Sequence, residues 1–377
     1  MKYFNTTGIC VPEKNFMVDT TNKIEQILKM VYQGKYFVIN RPRQYGKTTT
    51  LTLLERRLLK SDEYMPISIS FEGIGEVVQS TEEKFCRSFI ELIAEDMYVI
   101  RSEYDKVFLS HIEDIADFKS LSKALSNIIS TINKKIVLMI DEVDKSSNNQ
   151  IFLHFLGMLR NKYLETQKGK DVTFHSVILA GVHDVKNLKL KIRPESEASD
   201  VKQYNSPWNI AVDFRTDMSF CANEIKTMLD DYANTTQNQM DTTVISERIH
   251  FWTNGYPFLV SKLCQMIDEE ILPEREKKTW DVNDIDYVVG MLLKRTNTLF
   301  DDIGKNLENN KDLFELMNRV ALGINLYHFD LSNPIIYKAH ILGIITKDEN
   351  QRLIIHNRIF GQIMISYFLS KQALEKE

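Results

Sequence analysis

The sequence predicts an α/β fold: a P-loop-type parallel sheet flanked by helices, then a helical lid and a C-terminal winged helix. Three observations predict it. Lys35 to Thr52, KYFVINRPRQYGKTTTLT, reads as strand, loop and helix. Lys134 to Lys145, KKIVLMIDEVDK, reads as a second buried strand ending in two acids. From Ser219 onward the apolar pattern turns helical, and it closes on a hairpin, GIITKDENQRLIIH, and one more helix.

The bulk properties narrow the function classes. At 377 residues the chain can hold two or three domains and a sizeable core. A net charge of -5 gives no general pull toward nucleic acid or an anionic membrane. Cys10, Cys86, Cys221 and Cys264 are scattered without a C-x-x-C pair, as single thiols of a reducing compartment are. The start MKYFNTTGIC lacks the apolar run of a signal peptide, and no segment approaches the length of a membrane span. A cytoplasmic chain with no membrane partner is expected.

In chain order, Asp19, Thr20 and Thr21 can cap a helix starting near Asn22 and running through Ile24, Ile27, Leu28 and Val31, with Gly34 as its stop. Phe16, Met17 and Val18 precede the first strand, where nucleotide-binding folds often cover the base; core packing is the competing reading. Tyr36, Phe37, Val38 and Ile39 form a short apolar run rich in β-formers. Gly46, Lys47 and Thr48 then form the G-K-T end of a phosphate-binding loop. Gly46 lets the backbone approach phosphate, and amides at the helix N-terminus point at the anion. Lys47 can reach the β- and γ-phosphates, and the Thr48 hydroxyl can ligate Mg²⁺. The general pattern asks for glycine where this chain has Arg41, followed by Pro42 and Arg43, so the loop is stiff and basic. The bland alternative is a basic turn before a surface helix.

Met65 to Phe71 alternates apolar and polar, as a strand exposed on one face does. Residues 80–132 read as helices with core-facing stripes. Ile136 to Ile140 is an unbroken apolar strand ending in Asp141-Glu142. At such a strand end Asp141 can hold Mg²⁺, usually through water, and Glu142 can orient an attacking water. An acidic turn after a core strand is the alternative, but it leaves the G-K-T loop to a separate explanation. Ile151 to Leu164 is a helix, and Phe174 to Asp184 is a buried strand with a polar tip. His183 and Asp184 are candidate γ-phosphate sensors, against the reading of hydrogen-bonded loop residues. Arg193 is a candidate arginine finger into a neighbouring subunit, against a solvated charge. Ser206 to Ile210 leads to a candidate fifth strand.

Helices are expected over Glu224–Tyr232, Ile245–Trp252 and Leu259–Glu270, with Gly255, Tyr256 and Pro257 forming a rigid helix start. Beyond Asn306 come helices Leu313–Leu322 and Pro334–Leu342, hairpin strands Ile344–Thr346 and Arg352–Ile355, and a helix from Asn357 to Ser370. The expected domains are 1–215, 216–305 and 306–377.

With those residues in hand, the chain resembles the bacterial AAA-ATPase-like family within the STAND class of signalling P-loop ATPases. The resemblance covers essentially the whole chain and rests on YFVINRPRQYGKTTTL, IVLMIDEVD, SVILAGVHDVKNLKLKIR, SPWNIA, NGYPFLVSKLC and HNRIF. Arg41 is normal in such relatives. The resemblance implies ATP or ADP with Mg²⁺ as cofactors. The nucleotide-binding set is then Arg41, Pro42, Arg43, Gln44, Tyr45, Gly46, Lys47, Thr48 and Thr49, with His183, Pro257 and His356. Thr48 and Asp141 are the metal residues, and Glu142 and Lys47 the catalytic ones. Pro257 resembles the lid proline that packs near adenine, and His356 the switch histidine that contacts ADP phosphates, although Asn357 follows it where an aspartate is usual. Longer relatives continue into a domain resembling PD-(D/E)XK nucleases; no such motif stands in these 377 residues, and no nuclease activity is expected of them.

Three functions compete: a slow ATPase switch, a DNA-binding winged-helix ATPase, and a pseudo-ATPase scaffold. From Asn306 onward Lys plus Arg number eight and Asp plus Glu number eight, so that region is neutral and should hold DNA weakly. The presence of both Asp141 and Glu142 argues against the scaffold. A switch would take a nucleotide, a homo-oligomeric partner and a separate effector protein as its partners.

Overall fold

The structure is a computed structural model that describes residues 2–72, 74, 81–100, 103–145, 150–182, 208–323 and 327–374. His183, Asp184 and Arg193 lie outside the described residues. The chain divides into two compact units. One comprises residues 24–40 and 50–216; the other comprises 1–23, 41–49 and 217–377.

The first unit is built on a parallel sheet. Helix α1 (Thr21–Tyr32) leads to β1 (Tyr36–Asn40), and α2 (Lys47–Leu58) leads to β2 (Tyr64–Ser70). Then follow α3 (Glu82–Ile100), α4 (Asp105–Leu109), α5 (Phe118–Thr131), β3 (Lys135–Asp141), α6 (Gln150–Gln167) and β4 (Ser176–Gly181). The strand order is β1-β4-β3-β2, all parallel. Parallel strands carry helices on their faces, so they must be apolar on both sides. Accordingly all of β4 is buried, and all of β3 after Lys135. Register pairs Asn40 with Gly181 and Ile140 with Leu179. The strand ends Asn40, Gly181 and Asp141 therefore share one edge of the sheet, the edge at which open α/β sheets place ligands.

The helices follow from their patterns. In α1, Ile24, Ile27, Leu28 and Val31 are buried at helical spacing. The Thr21 amide donates to Asp19 Oδ1 at 2.9 Å, and Gly34 ends the segment at φ +64°. In α5, Asp117 and Ser120 form a reciprocal cap, the Ser120 amide donating to Asp117 Oδ1 at 2.7 Å. Phe71, Phe85, Phe89, Phe118, Phe152 and Phe155 pack together as the aromatic part of this unit's core.

Two expectations need correction here. Strand β2 is not exposed along one face: only Ser70 is exposed, and Ser68 is half-buried. Met65, Ile67 and Ile69 share one core with Phe85, Phe89 and Ile93 of α3, and Asp96 of that helix accepts the Ser68 amide at 3.0 Å. The fifth strand shrinks, among the described residues, to one parallel bridge between Phe37 and Val212. Trp208 is the reason. Its ring is buried 5.9 Å from that of Tyr36, and its carbonyl accepts the Ala211 amide at 3.1 Å, so the chain turns where a strand would have extended.

The second unit is helical. It holds α7 (Ala222–Thr236), α8 (Thr242–Thr253), α9 (Pro257–Met266), α10 (Val282–Leu292), α11 (Thr298–Glu308), α12 (Lys311–Ala321) and α13 (Pro334–Ile341). An antiparallel hairpin of β5 (Ile345–Lys347) and β6 (Leu353–Ile355) follows, then α14 (Arg358–Leu374). Helix α9 starts two residues earlier than expected, at Pro257, and gives way after Met266 to a π-helical turn, Ile267–Ile271. Helices α10 and α11 were not expected from the pattern. The N-terminal residues belong to this unit. Phe4 and Phe16 are buried against Tyr232, and Phe4 also against Trp280. Phe16 and Val18 are thus core residues, and Met17 is half-buried. No helix among the described residues is long and apolar enough to cross a membrane.

Candidate nucleotide-binding site

The loop between β1 and α2 is built from backbone geometry. Gly46 has φ +75° and Gln44 φ +55°. A Cβ on Gly46 would meet nothing within 4 Å, so glycine serves the left-handed conformation there, not a tight approach. Left-handed residues in a loop help successive amides converge into an anion-binding nest. Lys47 is 8% exposed, and its ammonium donates to the carbonyls of Arg41 at 3.0 Å and Pro42 at 2.9 Å. The ammonium thus stands at the centre of its own loop. Thr48 is exposed in the first turn of α2, and Thr49 Oγ1 accepts the Cys10 amide at 3.2 Å.

The residues before Gly46 are all engaged by the C-terminal part of the same unit. Pro42 is buried against Gly343: a Cβ there would lie 2.5 Å from Pro42 Cγ. Arg43 pairs with Asp302 at 3.2 Å, and its carbonyl accepts the Tyr256 hydroxyl at 2.7 Å. Gln44 Nε2 donates to Thr298 Oγ1 at 3.4 Å. The Tyr45 hydroxyl lies 2.6 Å from Ser219 Oγ and 3.1 Å from His356 Nε2. The rings of Tyr45 and Tyr256 meet edge to face with centroids 4.8 Å apart, a favoured aromatic geometry.

His356 is held from every side. Its amide donates to the Ile344 carbonyl at 2.8 Å, and its own carbonyl accepts Asn254 Nδ2 at 2.9 Å. Its Nδ1 lies 3.3 Å from Asn357 Nδ2. Burial pushes the imidazole down to about 4, with nearby His340 acting the same way, so the ring is neutral at neutral pH. Burial also pushes the Tyr45 phenol up to about 12 and lowers the Arg41 guanidinium, an effect that Tyr45 and Asp217 oppose. Pro257 is buried at the first position of α9, where its missing amide costs nothing. Helix α14 is capped by Asn357, whose Oδ1 accepts the Phe360 amide at 2.9 Å, so His356 is not the cap.

The acidic half belongs to the other unit. Asp141 is 7% exposed at the end of β3, and its Oδ1 accepts the Glu142 amide at 2.9 Å. Glu142 has φ +53°, a left-handed conformation that a non-glycine residue adopts at some cost. Asp144 is tied to the neighbouring strand: its Oδ2 accepts the Val182 amide at 2.5 Å, and a Cβ on Gly181 would lie 2.8 Å from its Oδ1. Of Asp141, Glu142 and Asp144, the last is thus committed to holding strand ends together. The Thr48 hydroxyl and the Asp141 carboxylate are hard oxygen donors of the kind Mg²⁺ takes.

No curated protein matches the sequence. A Walker-type ATPase of Pyrococcus abyssi is similar in fold, with a TM-score of 0.62 at 11% identity over 96% of this chain and 99% of that one. The ORC2 protein of Aeropyrum pernix, solved as ADPNP–ADP complexes, gives a TM-score of 0.55 at 10% identity over 98% of each chain. At such identities the likeness establishes the α/β fold of these ATPases. The model of the family described as AAA-like domain matches residues 9–366, so the chain belongs to the AAA-like domain family.

Proposed function

We propose that the chain is a Mg²⁺-dependent ATPase of the STAND type that switches between ATP- and ADP-bound forms. One observation carries the switch reading. Pro42, Arg43, Gln44 and Tyr45 each touch a residue lying between Ser219 and His356, so a movement of the loop is felt by the lid and by the last hairpin. In this reading residues 1–215 are the ATPase domain, 216–305 the lid and 306–377 a winged helix formed by α12, α13, β5, β6 and α14. Lys47 and the amides after Gly46 bind the phosphates. Thr48 and Asp141 hold the metal, which would neutralise phosphate charge. Glu142 takes the proton of the attacking water, and the strained backbone at Glu142 supports that assignment. The ADPNP–ADP complexes of the Aeropyrum relative support nucleotide as the ligand.

The test compares steady-state phosphate release by wild type and Glu142→Gln at saturating Mg-ATP. The amide keeps the size and removes the base. General-base catalysis contributes about 100-fold or more, so turnover should fall by at least that while Mg-ATP affinity persists. Unchanged turnover in the variant would remove Glu142 from the reaction. No turnover in wild type would leave a nucleotide-binding scaffold.

A further inference from the structure

The hydrogen bonds around His356 have one consistent direction. The Phe360 amide can only donate, so Asn357 Oδ1 is the acceptor and Asn357 Nδ2 is left as a donor. That donor faces His356 Nδ1, which must then carry no proton. In a neutral ring the proton sits on Nε2, and Nε2 faces the Tyr45 hydroxyl. Tyr45 accepts there and gives its own proton to Ser219 Oγ, whose amide is held by Asp217 Oδ1 at 2.9 Å. The helix cap at Asn357 thus sets a chain of donors that runs through His356 into the phosphate-binding loop and out to the start of the lid.

In this arrangement both ring nitrogens of His356 are engaged within the protein. We infer that Tyr45 is a positioning residue that latches the phosphate-binding loop to His356 and Ser219, and that His356 governs release of bound nucleotide through this hydroxyl. The inference rests on the nucleotide-binding reading above. The loop that cradles phosphate also carries Tyr45, one residue before Gly46. Displacing the loop therefore breaks two hydrogen bonds and withdraws the phenol from its edge-to-face contact with Tyr256. A latch of this kind slows exchange because the loop must release before the nucleotide does.

Tyr45→Phe removes both hydrogen bonds and keeps the ring against Tyr256. Release of a fluorescent ADP analogue, chased with excess ADP, should speed up on the order of tenfold, which corresponds to about 1.4 kcal/mol. His356→Gln alone should also speed release, and adding it to Tyr45→Phe should add little, because the two side chains act as one device. Ser219→Ala, outside the loop, removes only the acceptor and should give an intermediate rate. Melting temperatures without nucleotide separate loss of the latch from loss of the fold. Release at the wild-type rate from Tyr45→Phe overturns the inference, as do fully additive effects of Tyr45→Phe and His356→Gln. Those results leave nucleotide binding standing; a wild type that binds no analogue overturns both.

Discussion

Lys47→Ala is expected to abolish Mg-ATP binding. The ammonium stands at the loop centre on the carbonyls of Arg41 and Pro42, and it is the charge that would meet the β- and γ-phosphates. A hydrogen bond to a charged group contributes about 1.5–3 kcal/mol, and tenfold in affinity corresponds to about 1.4. Losing contacts to two phosphates should weaken binding by more than about 100-fold. Thermal stabilisation by Mg-ATP should vanish while the circular dichroism of the unliganded protein stays that of wild type. The unliganded melting temperature should fall only modestly, since the two carbonyls lose a buried donor. A variant stabilised by Mg-ATP as strongly as wild type would refute the assignment of the loop.

Gly255→Ala should be among the most damaging single substitutions to the fold. Gly255 has φ +70°, and a Cβ there would lie 2.1 Å from the Phe220 carbonyl oxygen and 2.6 Å from the Phe220 nitrogen. Both atoms are backbone, so no flexible side chain can give way. The left-handed conformation costs a β-carbon about 1–2 kcal/mol. Moving Phe220 also breaks its amide's bond to the Gly255 carbonyl, now 2.9 Å long. Such a bond contributes about 0.5–1.5 kcal/mol. The sum, about 1.5–3.5 kcal/mol, would show in urea unfolding as a lower midpoint with little change in slope. Gly304→Ala is the matched control. Gly304 lies in α11, where an added Cβ meets nothing within 4 Å, so alanine should stabilise by about 0.5–1 kcal/mol. Equal effects of the two substitutions would mean that the contact with Phe220 is not what fixes the turn.

Much of the α/β unit was legible in the sequence because its signals are local. Buried parallel strands are apolar runs, and β1, β3 and β4 fall on such runs. The loop announced itself through Gly46, Lys47 and Thr48. Misreadings arose where tertiary packing overrode a local pattern, as where β2 has Pro66 buried and Ser68 half-buried, and where Trp208 turned the chain before a fifth strand could form. Helices α10 and α11 did carry local signals. Asp281 and Asn297 cap them, with Asp281 Oδ1 accepting the Asn283 amide at 2.7 Å and Asn297 Oδ1 the Phe300 amide at 3.0 Å. Those caps could have been read before the apolar residues that follow. The partners of Tyr45 could not. Ser219 and His356 lie 174 and 311 positions away, and nothing in the order of residues says that a tyrosine of the loop meets them. His356 itself was legible only through a short resemblance, which suggested a phosphate contact; its bond to the Tyr45 hydroxyl is visible only in three dimensions.

The central claim is that the loop of residues 41–49 binds nucleotide and passes its state to the C-terminal elements. Amide hydrogen exchange tests it most directly, comparing the protein with Mg²⁺ alone, with Mg-ADP and with a non-hydrolysable Mg-ATP analogue. Either nucleotide should protect peptides covering residues 41–49. Peptides covering 254–257 and 343–357, which hold Asn254, Tyr256, Gly343 and His356, should exchange differently with ADP than with the ATP analogue. Identical exchange at residues 41–49 with and without nucleotide would contradict the claim at its root. Protection of the loop with no ADP–ATP difference in the two C-terminal segments would leave an ATP-binding protein that is not a switch.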